Sequence, residues 1–258
     1  MAFILTEKKE GVLVIRMNRA DIFNSFNREM ALELQAALKS AADDASVRAV
    51  LLTGEGKAFC AGQDLAEAIN PDGPGIKRIV VEHYNPIILA IRNLQKPVIA
   101  AVNGVAAGAG ANIALACDII YAAASASFIQ AFSKIGLVPD SGGTYTLPRM
   151  VGPHLAAALM MTGDKLVAED ARALGLVYKV FADEELFTQA LASATNLSLM
   201  PTKALWQTKQ LLNASYNNTL EQQLQMEGDL QVAAAQSYDY NEGVKAFLEK
   251  RKPVFKGE

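Results

Sequence analysis

From Val98 to Cys117 the chain runs for 20 residues without a charged side chain. That length could cross a bilayer. Its three glycines, its many alanines and the amides of Asn103 and Asn112 keep the hydropathy modest, so the stretch reads as a buried strand, a turn and a helix. The segment continues to Pro148 and sets one acid, Asp140, in a Pro-Asp-Ser-Gly-Gly turn. The rest of the chain reads as scaffold, pocket wall or partner surface for it.

The flanking pattern supplies the fold class. Residues 11–18 (GVLVIRMN) and 47–53 (VRAVLLT) are β-branched runs bounded by turn residues, and they predict strands. Residues 27–42 place Met30, Leu34, Ala37 and Leu38 at helical spacing behind an Asn27 N-cap. A helix is predicted over 76–95, interrupted or kinked by Pro86. Strands follow over 97–102, 118–122 and 127–132, with a helix over 106–116 between the first two. Helices are predicted from 141–144 onward, over 152–162 and over 168–174, then a strand over 175–181. Beyond it only helical patterns occur, over 183–197, 201–214, 219–234 and 240–249. The prediction is an α/β core, drawn at residues 1–197, followed by a helical C-terminal region at 198–258.

Composition removes several functions. At 258 residues and 51% hydrophobic the chain can bury a sizeable core. A net charge of -3, with no basic cluster interleaved with aromatics, argues against nucleic-acid binding. Cys60 and Cys117 are too few for a disulfide framework or a metal set. The N-terminal stretch shows no cleavable apolar core, so a cytoplasmic protein is expected. His83 lies on an apolar helix face and His154 beside a Gly-Pro turn. Neither completes a recognisable triad, and no metal is expected.

Two glycine-containing turns carry the chemistry. Gly108-Ala109-Gly110 follows a strand and opens a helix, as a dinucleotide loop does. It lacks the third glycine, Ile113 standing in its place, and the chain has no Walker A sequence. Free N–H groups at a helix start can nevertheless hold an oxyanion. The second turn lies in FCAGQDL, residues 59–65. Alone it is a plain connection capped by Asp64. Paired with the first, it can place a second backbone donor on one carbonyl oxygen.

These motifs resemble the enoyl-CoA hydratase/isomerase (crotonase) superfamily. AFCAGQDL, AAVNGVAAGAGANIALACDIIYAA, FSKIGLVPDSGGTYTLPRMVG, TGDKLVAEDARALGLVYKVF and EGVKAFLEKRKPVFKG occur in the family's order and spacing over nearly the whole chain. The resemblance implies a ββα spiral core and a helical C-terminal trimerisation region, forming a homotrimer or a dimer of trimers. It implies an acyl-CoA thioester substrate, with coenzyme A entering as part of that substrate and no separate cofactor. It places the thioester oxygen between the N–H groups of Gln63 and Ala109. Pantetheine would lie along Ala61, Gly62, Gln63, Asp64 and Leu65, with Gly110 letting backbone approach the ligand. Lys252 and Lys256 of the tail, and Arg28, are candidate cations for the phosphates.

The chain departs from the family's hydratases at both of their glutamates. Those positions fall on Asn112 and Phe132, neither of which can act as a base towards water. The resemblance leaves Asp140 as the catalytic acid/base, although an aspartate there is also a good N-cap. Within the superfamily the pattern is similar to isomerases that convert ring-1,2-epoxyphenylacetyl-CoA to an oxepin in aerobic phenylacetate catabolism. A Δ3,Δ2-enoyl-CoA isomerase is the alternative. An aryl-CoA dehalogenase fits less well, since residues 65–69 lack its histidine and position 132 its tryptophan. A non-catalytic acyl-CoA binder is a further reading.

Overall fold

The structure is a computed structural model that describes residues 2–258, so the first residue of the predicted core lies outside it. In chain order the core comprises β1 (Ile4–Lys9), β2 (Val12–Met17), α1 (Arg28–Asp43), β3 (Ala49–Gly54), β4 (Ala58–Cys60), α2 (Leu65–Ala68), α3 (Gly75–Arg78) and α4 (Asn85–Asn93). It continues through β5 (Val98–Val102), β6 (Val105–Ala107), α5 (Ala109–Ala116), β7 (Ile119–Ala123), β8 (Ser127–Ile129), α6 (Gly143–Val151) and α7 (Pro153–Thr162). β9 (Lys165–Val167), α8 (Ala168–Ala173), β10 (Lys179–Phe181) and α9 (Leu186–Ser198) complete it, and α10 (Thr202–Ala214), α11 (Leu220–Ala235) and α12 (Tyr238–Leu248) follow.

Each turn of the spiral contributes one strand to each of two sheets and then a helix. β3, β5 and β7 lie side by side in a six-stranded sheet of order β1-β2-β3-β5-β7-β10. Their short-looped successors β4, β6 and β8 lie side by side in a second sheet, which β9 closes. The central strands pair in parallel and are buried along almost their whole length, which is why their sequences are continuous apolar runs rather than alternating ones. Helix α1 begins where Asn27 accepts the N–H of Met30 at 3.0 Å, as the sequence predicts.

Six strands differ from the sequence expectation. β1 pairs antiparallel with β2 through a turn whose residues Glu10 and Gly11 both take positive φ. It is an exposed, charged edge strand without an apolar signature. β4 is a three-residue strand inside a stretch read as a turn connection, and β9 is as short. Residues 105–107, the last two of them expected inside a helix, form β6, so α5 begins only at Ala109. The predicted strands at 127–132 and 175–181 shrink to β8 and β10. The helix over 76–95 contains a π-helical segment, Ile79–Tyr84, immediately before α4 with Pro86 in its first turn. The uncharged stretch is thus β5, a corner, β6 and an eight-residue helix. Among the described residues no helix is long and apolar enough to cross a membrane.

Helix α9 packs on the large sheet, while α10 packs on α11 and α11 on α12. Lys209 of α10 reaches into the core, donating to Asp118 and to the carbonyl of Ile91, both at 2.8 Å. Helix α11 buries no residue, and Leu220, Leu224 and Val232 on it are exposed. A groove of about 490 Å³ between α10, α11 and α12 is lined by Val244, Phe247 and Phe255.

Candidate active site

The two turns leave neighbouring strands at the same end, because β4 pairs in parallel with β6. Gly62 has φ +94°, and a Cβ there would lie 2.9 Å from the carbonyl of Ala107 and 3.6 Å from the nitrogen of Ala109. A Cβ on Gly110 would meet the carbonyl oxygen of Cys60 at 2.3 Å and its sulfur at 2.7 Å. Main chain therefore rests on main chain, and glycine is the residue that permits it.

Several neighbouring N–H groups are occupied. Ala61 donates to Phe23 at 2.9 Å, Asp64 to Phe26 at 2.8 Å, and Gly108 to Ile129 at 2.8 Å. Gly62 donates to the Cys60 sulfur at 3.3 Å. Among the described residues, the N–H groups of Gln63 and Ala109 have no acceptor. Ala109 is the first residue of α5, where a helix leaves its N–H groups unpaired. Two unpaired donors on abutting turns form an oxyanion-hole arrangement, and each such donor is worth about 3 kcal/mol to a developing oxyanion.

The Gln63 side chain is fixed as well. It accepts from the Tyr84 hydroxyl at 3.0 Å and donates to Glu67 at 2.8 Å. Glu67 in turn accepts the N–H of Arg28 at 2.8 Å. Tyr84 ends the π-helical segment and is fully buried, which raises its pKa; the nearby Cys60 and the Asp140 carboxylate add to the rise. The Arg28 guanidinium is engaged by Glu82 at 2.6 Å.

Asp140 sits in a turn with two successive left-handed residues, Ser141 at φ 51° and Gly142 at φ 73°. Gly142, not Asp140, occupies the N-cap position of α6, and no side chain caps that helix. The Asp140 carboxylate is thus free of the capping role that its sequence context allowed. Among the described residues it accepts only the Ser141 hydroxyl, at 2.8 Å. Burial raises its pKa above the usual carboxylate range, and the Ser141 bond draws it partly back. Asn112 is buried, its amide hydrogen-bonded to the carbonyl of Asp140 and to Gln130. Phe132 is also buried, and a Cβ on Gly108 would meet its ring edge at 3.7 Å.

The structure therefore gathers Ala61, Gly62, Gln63, Ala109, Gly110, Asn112, Phe132 and Asp140 around the start of α5. Asp64 caps α2 and pairs with Arg19 at 3.0 Å, and Leu65 is exposed. Lys252 and Lys256 lie elsewhere in the single chain. Their tail segment is held by Asp239, which accepts the N–H of Gly257 at 2.7 Å, and by Arg48 just before β3. The Lys256 ammonium lies over the Tyr238 ring. Tyr84, Glu67, Ser141 and Gln130 are the residues sequence reasoning missed. Only Gln130 carried a signal, as a lone amide closing an apolar strand.

A family model described as enoyl-CoA hydratase/isomerase matches residues 7–258. The chain belongs to the enoyl-CoA hydratase/isomerase family. It is 47% identical to 1,2-epoxyphenylacetyl-CoA isomerase of Escherichia coli K12, covering 100% of both chains. It is 44% identical to a "Probable enoyl-CoA hydratase" of Rhodobacter capsulatus, covering 97% of this chain and 96% of that one. The crystal structure of an enoyl-CoA hydratase from Bacillus anthracis superposes with a TM-score of 0.92 at 34% identity, over 99% of this chain and 100% of the other. The ββα spiral is thus the crotonase fold, and the chain is an enzyme of that family.

Proposed function

We propose that this enzyme isomerises an acyl-CoA thioester, with Gln63 and Ala109 as oxyanion donors and Asp140 as the acid/base. One observation carries the reading: Asp64 is paired with Arg19 and Glu67 is held by Gln63 and the N–H of Arg28, whereas the buried Asp140 carboxylate is bonded by the Ser141 hydroxyl and both hydratase positions hold side chains that cannot ionise. The Asp140 carboxylate takes a proton from the carbon skeleton next to the thioester. The electron pair moves onto the thioester oxygen, between the two N–H groups. Return of charge to the skeleton and of the proton from Asp140 leaves an isomer, with no cofactor consumed. The raised pKa suits a group that must both take and return a proton.

The substrate we propose is ring-1,2-epoxyphenylacetyl-CoA, the enolate relaying charge to open the epoxide and expand the ring to oxepin-CoA. The relative at 47% identity supports it, and Phe132 offers an aromatic wall in place of a water-activating acid. The same base could move a double bond between the 3,4 and 2,3 positions, the second isomerase reading. The exposed apolar faces of α11 and α12 support assembly into a trimer, or a dimer of trimers. The test is turnover of epoxy-, aryl- and enoyl-CoA thioesters followed by mass and ultraviolet absorbance. Asp140→Asn is expected to fold normally and to lose isomerisation by about 10²–10⁴-fold. Isomerisation by that variant at the wild-type rate would refute the assignment.

A further inference from the structure

Asn112 lies beneath the Asp140 turn, only 1% exposed. Its Nδ2 donates at 2.8 Å to the carbonyl oxygen of Asp140, which also accepts the N–H of Gly143 at 2.9 Å. A carbonyl oxygen can only accept, so the group facing it must be the NH2 of the amide. The Asn112 Oδ1 then faces Gln130, whose Nε2 donates to it at 2.8 Å. Gln130 is 5% exposed, and its Oε1 has no partner among the described residues. This is the sole hydrogen bond of its side chain there, so the amide of Asn112 is oriented from both ends.

The turn needs such a clamp. Ser141 and Gly142 are both left-handed, a conformation that is strained for a residue with a Cβ. Asp140 immediately precedes them, so any relaxation of the turn carries its carboxylate along. Helix α5 bears Ala109 at its start and Asn112 one turn later. One helix thereby fixes an oxyanion donor and the backbone of the acid.

We propose that Asn112, oriented by Gln130, is a positioning residue that sets the Asp140 carboxylate relative to the oxyanion donors, and that position 112 must therefore donate a hydrogen bond. This rests on the reading of Asp140 as the proton-transferring group. A carboxylate at 112 would turn oxygen against oxygen and release the turn. The hydratase position has thus been converted from an acid into the support of a different acid.

Phenylacetyl-CoA in deuterium oxide tests the idea, because exchange of its α-hydrogens, read by mass, reports proton transfer whatever the final product. In Asn112→Asp the exchange kcat should fall about 10–100-fold while KM changes little, and the acid limb of the pH profile should move upward. Gln130→Leu, which removes only the orienting bond, should lose roughly 3–10-fold in kcat. Circular dichroism and calorimetric binding of the same thioester establish that each variant is folded. Wild-type kcat and pH profile in both folded variants would overturn the proposal, and if Asn112→Asp does not fold, Gln130→Leu decides it. Asp140→Asn in the same assay separates the two claims. Retained exchange there sinks the assignment of Asp140. A dead Asp140→Asn beside unimpaired Asn112 and Gln130 variants sinks only the positioning role.

Discussion

Around the start of α5 the turns proposed to hold the oxyanion rest main chain against main chain, whereas the Asp140 turn is held by one side chain reaching in from another element, the amide of Asn112. Gly62 and Gly110 leave no space for a Cβ between the turns after β4 and β6. The acid turn instead hangs on the Asn112 amide and tolerates two left-handed residues. The first arrangement admits almost no variation. The second can be altered by changing the one side chain at 112. On the proposed reading, the rigid half of the site binds the thioester and the half open to substitution decides the reaction, so one architecture can serve several chemistries.

The contrast is most sharply tested at Gly110. Gly110→Ala puts a methyl 2.3 Å from the Cys60 carbonyl, which is backbone and cannot rotate away. The turns must separate, and Ala109 moves with them. Turnover is expected to fall by about 10²–10³-fold, as when an oxyanion donor is removed, and urea unfolding should show a loss of about 1–3 kcal/mol. Wild-type kinetics in this variant would show that the close approach does not place the donor.

A smaller effect is expected from titrating Asp140. Its carboxylate is needed ionised, and burial raises its pKa, so kcat/KM should rise with pH along a limb above the usual carboxylate range. The sign for stability is the opposite of that for a salt-bridged acid. A raised folded-state pKa means that the folded protein holds the proton more tightly than the unfolded chain does. Ionised Asp140 thus destabilises the fold, increasingly as pH rises from its unfolded to its folded pKa, and the penalty disappears below the unfolded value. Asp140→Asn should melt no lower than wild type at neutral pH, and the two should converge in acid. Thermal melts across that range check this, and an Asn variant melting lower at neutral pH would contradict it.

The same contrast explains what the sequence disclosed. The glycines of AFCAGQDL and VAAGAGAN mark the oxyanion turns because a close main-chain approach writes itself into residue type. The uncharged run before Asp118 marked the buried strands for the same reason. The support of Asp140 was illegible, because Asn112 meets it across 28 positions and through a backbone atom, so its identity alone suggested only a missing acid. β6 was hidden by its alanines, its strand character coming from pairing with β4 and β8. β1 was hidden by its charges, which suit a sheet edge. Tyr84 escaped because the π-helical segment breaks the spacing by which a helix face is read. Lys252 and Lys256 were suggested by charge alone, and only an assembled oligomer can bring one chain's tail to another chain's site.

Tyr84 supplies the smallest and most discriminating change. Its hydroxyl donates to the Gln63 side chain, and its ring meets Phe26 edge-on with centroids 5.8 Å apart. Tyr84→Phe keeps the ring packing and removes the hydroxyl, leaving the Gln63 Oε1 without its donor, a loss of about 1 kcal/mol. The Gln63 N–H should stay in place, because the flanking bonds of Gly62 and Asp64 to Phe26 are main chain. Turnover should therefore fall less than about tenfold, with KM nearly constant. A loss as deep as that of Gly110→Ala would mean that a side chain, not the backbone, aims this donor, and the division between the two halves of the site would collapse.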